Sequence, residues 1–203
     1  MTERSVRAYV GLGANVGDAA ETLAWAVNAL DEMPGVRLRE VSPLYVTAPW
    51  GVTDQPEFHN AVVALDVPAR PDPAASAIAL LGKLKRLERL AGRRRRARWG
   101  PRELDLDLLV FGRHAIAVDR PPGARSLDAG TDPTKDARRL EVPHRDAGKR
   151  LFVLVPLADL APGLVPPGWH HTVATRRREV AATEPAGSVR EVGRWDPERH
   201  RWA

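Results

Sequence analysis

Hydrophobic and polar positions along the chain mark out strands and helices in a regular order. "RAYVGLGAN" reads as a first strand, and Asn15-Val16-Gly17 as the turn that ends it. Asp18 is then placed to cap a helix whose Leu23, Ala26, Val27 and Leu30 fall at i, i+3, i+4 and i+7. Pro34 and Gly35 stop that helix. A second strand is expected over about 36–47, then the Pro- and Gly-containing loop "APWGVTDQPE", then a third strand "FHNAVVALDV". Asp72-Pro73 supplies a cap and a proline at the first helical position for a long helix over about 73–91. Leu80, Leu84, Leu87 and Ala91 form its apolar stripe, and Gly92 its stop. A basic loop and the strand "ELDLDLLVF" follow.

This β-α-β-β-α-β order predicts a ferredoxin-like α+β sandwich, an antiparallel sheet with helices on one face. Residues 119–139 are rich in Pro, Gly and Asp without periodicity, and predict a mobile loop insert. "KRLFVLVPLADLAP" predicts the start of a third helix whose regularity Pro156 limits. From about residue 171 to 203 the chain turns polar, and a loosely attached C-terminal tail is expected.

Composition narrows the function classes. With 203 residues, 43% of them hydrophobic and 28% charged, the chain can bury a sizeable core as a soluble protein. It contains no Cys, which excludes disulfides and thiolate metal sites and agrees with a reducing, cytoplasmic setting. "MTERSVRAYVGLG" has no apolar run of signal-peptide length, and no segment has the length of a membrane span. The net charge of +5 favours an anionic partner, although 31 basic and 26 acidic residues largely offset one another.

The position of the arginines says more than their number. In a strand, residues i and i+2 point to one face, so Asp105 and Asp107 project together while Leu104, Leu106 and Leu108 fill the core side. Two carboxylates roughly 6–7 Å apart along a strand can embrace a pair of divalent cations about 3.5–4 Å apart. Taken alone, the pair reads equally well as charges guarding a sheet edge. Arg93, Arg95, Arg98 and Arg102 lie just upstream, around Gly100 and Pro101. By itself that run reads as a solvated face or an RNA contact. Carboxylates, metal and arginine forks become one charge-compensated set once a polyphosphate enters, and the combination favours phosphoryl chemistry.

"RWGPRELDLDLLVFG" resembles the signature of the 6-hydroxymethyl-7,8-dihydropterin pyrophosphokinases. "YVGLGANVGD", "SPLYVTAPWGVTDQPEFHNAVV" and "VPHRDAGKRLFVLVPLADLAP" agree with that family in order and spacing, over most of residues 6–167. The resemblance implies a domain over 1–170 that transfers the diphosphate of ATP to the pterin hydroxymethyl oxygen, releasing AMP. It implies that Asp105 and Asp107 bind two Mg²⁺ ions, and that Arg93, Arg95, Arg98 and His144 contact phosphates, with Arg93 and Arg98 catalytic. Arg102 and Arg150 would lie near the hydroxymethyl group and its product diphosphate. Leu108 and Glu88 match positions at the ATP site, although Glu88 also reads as an exposed helix charge. Phe58 and Phe152 match the two aromatic positions that sandwich the pterin, and Asn60 the amide that reads its edge. Thr47, Ala48, Pro49 and Trp50 match the loop lining the pterin pocket, and Trp99 a loop residue that closes on it. His59, beside Asn60, reads as structural.

Two other classes compete. An RNA-binding ferredoxin-like module would place aromatics on its central strands, where the first strand offers only Tyr9 and the last offers acids. A D-x-D nucleotidyltransferase would open its site with a Gly-Ser turn, where "WGPREL" stands. The expected partners are therefore small molecules, ATP and hydroxymethyl-dihydropterin, with no nucleic acid and no membrane. A monomer is expected, with other folate-pathway enzymes as candidate partners.

Overall fold

The computed structural model describes residues 4–49, 54–92, 100–125 and 139–203. Strand β1 (Ser5–Ala14) lies between β5 (Asp105–Phe111) and β4 (Phe58–Pro68), antiparallel to both. On its other side β4 pairs with β2 (Arg37–Val41) and β3 (Leu44–Thr47), two pieces of the expected second strand. The break falls at Ser42-Pro43, where proline removes a ladder donor. The Ser42 hydroxyl accepts from Val62 N–H at 2.9 Å and holds the break against β4.

Helices α1 (Ala19–Asp31) and α2 (Pro73–Leu90) pack on one face of the sheet, as expected. Asp18 and Asp72 cap them, accepting from Glu21 N–H (3.0 Å) and Ala74 N–H (2.9 Å). Ala8, Val10, Leu12 and Ala14 from β1 meet Leu23, Ala26, Val27, Leu30, Leu80 and Leu84 there. Burying each leucine is worth roughly 1.5–3 kcal/mol.

The expectation that all helices share one face is corrected for the later helices. Helix α3 (Leu151–Leu160) packs on the opposite face, where Val62, Leu109, Val153, Leu154 and Leu157 form a second core. That is why β4 reads "NAVVAL" without alternation: it is covered on both sides. Helix α3 runs through Pro156, which is itself buried.

Residues after 170 are not a loose tail, and this expectation is corrected too. Helix α4 (Val173–Ala181), capped by Thr172, packs through Val173 and Val180 into the second core. Strand β8 (Val189–Gly193) then adds to the edge of β3, so the sheet runs β5-β1-β4-β3-β8 with β2 beside β4. A short hairpin of β9 (Trp195–Asp196) and β10 (Arg201–Trp202) packs Trp195 and Trp202 on the α1 side of the sheet. Their rings meet edge to face at 4.8 Å, and the Trp202 indole donates to Ser42 O at 2.9 Å. The 119–139 insert is bounded by a small ladder of β6 (Ile116–Asp119) and β7 (Arg139–Val142). Residues 126–138, most of the expected mobile loop, lie outside the described residues.

Candidate active site

Register across the sheet brings the predicted residues together. Asp105 lies opposite Gly13, which lies opposite Asn60, which lies opposite Tyr45. One step along, Asp107 lies opposite Gly11 and Gly11 opposite Val62. Residues directly opposite each other share a face, so the acids, the two glycines, Asn60 and Val62 form one surface. The glycines keep its middle flat: a Cβ on Gly11 would sit 3.4 Å from the Leu109 side chain.

Over this floor lies a cavity of about 230 Å³. Asp105, Asp107, Arg102 and His144 line it, together with Asn60, Thr47, Ala48, Phe58, Arg150 and Phe152. Both acids are half-buried. Asn60 is buried, and its amide donates to Thr47 Oγ1 (2.9 Å) and Phe58 O (3.2 Å), which leaves its carbonyl oxygen as the acceptor beside Gly13. His144 is fixed by its own N–H donating to Leu109 O at 2.8 Å, and Asp146 N–H donates to its Nδ1 at 3.3 Å. A neutral His144 ring therefore carries its proton on Nε2. Arg150 pairs with Asp146 at 3.1 Å and lies 5.8 Å from the Phe152 ring centre. On the same face of the sheet, Tyr45 donates to Asp159 at 2.7 Å and ties β3 to α3. Burial, and then that carboxylate, push the Tyr45 phenol above its ordinary range, so it stays a neutral donor.

Three predicted positions lie off the cavity. The Leu108 side chain is buried among the α1 and α2 residues, and Leu109 lines the cavity instead. Strand alternation puts residues 105, 107 and 109 on the cavity side and 108 on the core side. Glu88 is neither an exposed charge nor a cavity residue: it is 1% exposed and bonded to Lys85 and to Leu106 N–H. The helix turns it toward β5, because Ala77, Leu81, Lys85 and Glu88 continue one buried stripe. Pro49 is described but does not line the cavity. Trp50, Arg93, Arg94, Arg95, Arg98 and Trp99 lie outside the described residues.

Asn15 is a residue the sequence reading missed. It is 3% exposed, and it ties together three segments around the cavity. Its side-chain oxygen accepts from Arg102 N–H (2.7 Å), and its amide donates to Gln55 Oε1 (3.1 Å) and Pro56 O (3.0 Å). Its own N–H donates to Arg102 O at 2.9 Å. The signal was ambiguous, since Asn ahead of a Gly with φ of 64° looks like an ordinary turn residue.

Paired acids stand at one end of a sheet face and an amide- and aromatic-lined slot at the other, on a ferredoxin-like α+β frame. The profile of the family described as 7,8-dihydro-6-hydroxymethylpterin-pyrophosphokinase (HPPK) matches residues 9–162. A 2-amino-4-hydroxy-6-hydroxymethyldihydropteridine pyrophosphokinase of Pseudomonas aeruginosa is 41% identical over 165 residues, 81% of this chain and 86% of its own length. That of Methylorubrum extorquens is also 41% identical, over 184 residues, 91% of this chain and 98% of its own. Among solved structures, wild-type Plasmodium falciparum HPPK-DHPS with SDX-DHP superposes with a TM-score of 0.72 at 13% identity, covering 99% of this chain. The chain spans about half of that larger protein (50%), and the likeness bears on the fold alone. This chain belongs to the HPPK family, and it is a diphosphokinase.

Proposed function

We propose that the cavity transfers the diphosphate of ATP to the hydroxymethyl oxygen of 6-hydroxymethyl-7,8-dihydropterin, releasing AMP, in the pathway to folate. One observation carries the residue assignments: a single sheet face presents Asp105 and Asp107 at one end and Asn60 with Thr47 at the other. Two glycines between them leave room for a flat ring and a phosphate chain to meet. The pterin lies against Phe58 and Phe152 and offers its ring edge to the Asn60 carbonyl. Arg102, Arg150 and His144 face the diphosphate. The resemblance assigns Arg93, Arg95 and Arg98 to the phosphates and Trp50 and Trp99 to the pterin pocket, all five outside the described residues. Attack of the hydroxymethyl oxygen on the β-phosphorus forms one P–O bond and breaks the bond to the α-phosphate. Such a displacement needs positioning and charge neutralisation above all.

The acids fit magnesium. Mg²⁺ prefers carboxylate oxygen and usually takes one or two carboxylates, completing its shell with substrate phosphates and water. Among the described residues no group of three or more His, Asp or Glu could hold a metal by itself, in keeping with a site finished by ATP. Asp105 and Asp107 would hold two ions, which when bound supply charge neutralisation along the phosphate chain. Among the described residues no helix is long and apolar enough to cross a membrane.

Incubation with ATP, Mg²⁺ and hydroxymethyl-dihydropterin should yield AMP and the pterin diphosphate in equal amounts. Asp105→Ala and Asp107→Ala should each lose transfer by about 100-fold or more, on the scale of a missing electrostatic group, with the fold retained by circular dichroism. Near-normal turnover in either variant at saturating Mg²⁺ would overturn the metal assignment.

A further inference from the structure

Strand β5 carries both acids, yet it is the edge of the sheet, paired with β1 alone among the described strands. At such an edge every second residue turns its N–H and C=O outward, away from the ladder. Leu106 is that residue here, and both of its groups are met by side chains of α2. Leu106 N–H donates to Glu88 Oε1 at 2.8 Å, and Lys85 Nζ donates to Leu106 O at 2.9 Å. Lys85 and Glu88 also pair with each other, at 3% and 1% exposure. Together they offer Leu106 one acceptor and one donor, as a neighbouring strand would.

Leu106 stands between Asp105 and Asp107. Its nitrogen belongs to the peptide plane shared with Asp105, and its carbonyl to the plane shared with Asp107. Fixing both groups therefore fixes the two planes from which the carboxylates project. Stability does not require this arrangement, because exchanging a buried ion pair for apolar side chains is often neutral or favourable. Leu81 and Leu84 beside the pair show that the site accepts such side chains. Catalysis by positioning is far less tolerant, since a displacement of about 1 Å can cost on the order of 100-fold in rate.

We infer that Lys85 and Glu88 are positioning residues for diphosphate transfer: from below the sheet they clamp the peptide between the two acids and set the carboxylates for the metal. The inference rests on the proposed role of Asp105 and Asp107.

Two double variants test it, Lys85→Met/Glu88→Leu and Lys85→Met/Glu88→Gln, with Asp107→Ala as reference. The readouts are Tm, hydrogen exchange at the Leu106 amide, Mn²⁺ affinity with a non-hydrolysable ATP analogue, and steady-state kinetics. The Leu variant should stay folded, with a Leu106 amide that exchanges faster. Its Mn²⁺ affinity and kcat should each fall about tenfold, within the cost of a sub-ångström displacement, while the KM for pterin changes less than about twofold. Glu88→Gln in the same background restores an acceptor for Leu106 N–H and should recover part of both losses. If the Leu variant does not fold, the Gln variant alone decides, by whether its metal affinity and kcat fall below wild type. Wild-type metal affinity and kcat in a folded double variant, with Asp107→Ala defective, overturn the clamp and leave the site reading intact. Equal Mn²⁺ affinity in wild type and Asp107→Ala overturns the site reading, and the clamp with it.

Discussion

Asn15 shows how much one buried amide can hold. Removing its side chain strands the Arg102 N–H and takes a partner from Gln55 and Pro56. Asn15→Ala should lose about 1–3 kcal/mol in urea unfolding, the penalty for leaving buried polar groups unpaired, and should raise the KM for pterin more than that for ATP. His59, on the other face of β4, supplies a pH prediction. Burial holds its imidazole below the ordinary value of 6.5, and its Nδ1 is buried without a hydrogen-bond partner among the described residues. The folded state thus takes up its proton at lower pH than the unfolded chain does. Stability from this group is complete above about pH 6.5 and is lost as pH falls through the depressed folded pKa. His59→Leu should flatten the fall in Tm between pH 6.5 and 5, and an unchanged slope would remove His59 as its source. Asp105, Asp107, Asn60 and Thr47 were legible in the sequence because strand period and motif order place them. Glu88 and Asn15 were not. An i, i+3 Lys-Glu pair and an Asn-x-Gly turn look the same on a surface, and only tertiary packing buries them.

Elements with strong local signals were readable to within a residue or two. Both caps, Asp18 and Asp72, lie where a short polar side chain precedes an apolar period. Asp72→Ala should cost about 1 kcal/mol, read as a drop in the urea midpoint with an unchanged slope. The C-terminal elements were hidden for a different reason. An edge strand such as "VREVG" exposes both flanks, so its charges mask the alternation, and α4 buries only Val173 and Val180. Strand β8 nonetheless supports the site loop, pairing Val189 with Thr47 and joining Arg190 to Glu57 at 2.9 and 3.0 Å. A chain ending after Ala182 would leave β3 as an open edge. It should melt several degrees lower, because one unprotected edge and two lost tryptophans exceed what about 1–2 kcal/mol can offset.

At the scale of the whole molecule, the sheet is a partition. One side is sealed by α1 and α2, and the other holds the cavity, which α3 closes only in part. The sequence disclosed the sealed side, where apolar positions repeat with one period. It concealed the second core, because a strand covered on both faces loses its alternation. The cavity draws its walls from five separated stretches of chain, around residues 12, 48, 60, 105 and 150. A ligand that bridges these stretches lowers the cost of ordering them for the next one. ATP with Mg²⁺ should therefore bind first, and calorimetry should find pterin binding weakly alone and much more tightly beside a non-hydrolysable ATP analogue. Equal pterin affinity in the two titrations would contradict an ordered mechanism.

The Trp195–Trp202 contact gives the molecule an optical signature. Two indoles this close and held near a right angle couple their electronic transitions, and the coupled pair splits a far-ultraviolet circular dichroism band that neither helix nor strand produces. That band exists only while the C-terminal hairpin is closed on itself. It lies across the sheet from the cavity, so ligands can come and go without altering it. Loss of the split band while the helical ellipticity persists would signal an opened C-terminus on an otherwise folded enzyme, without any added label.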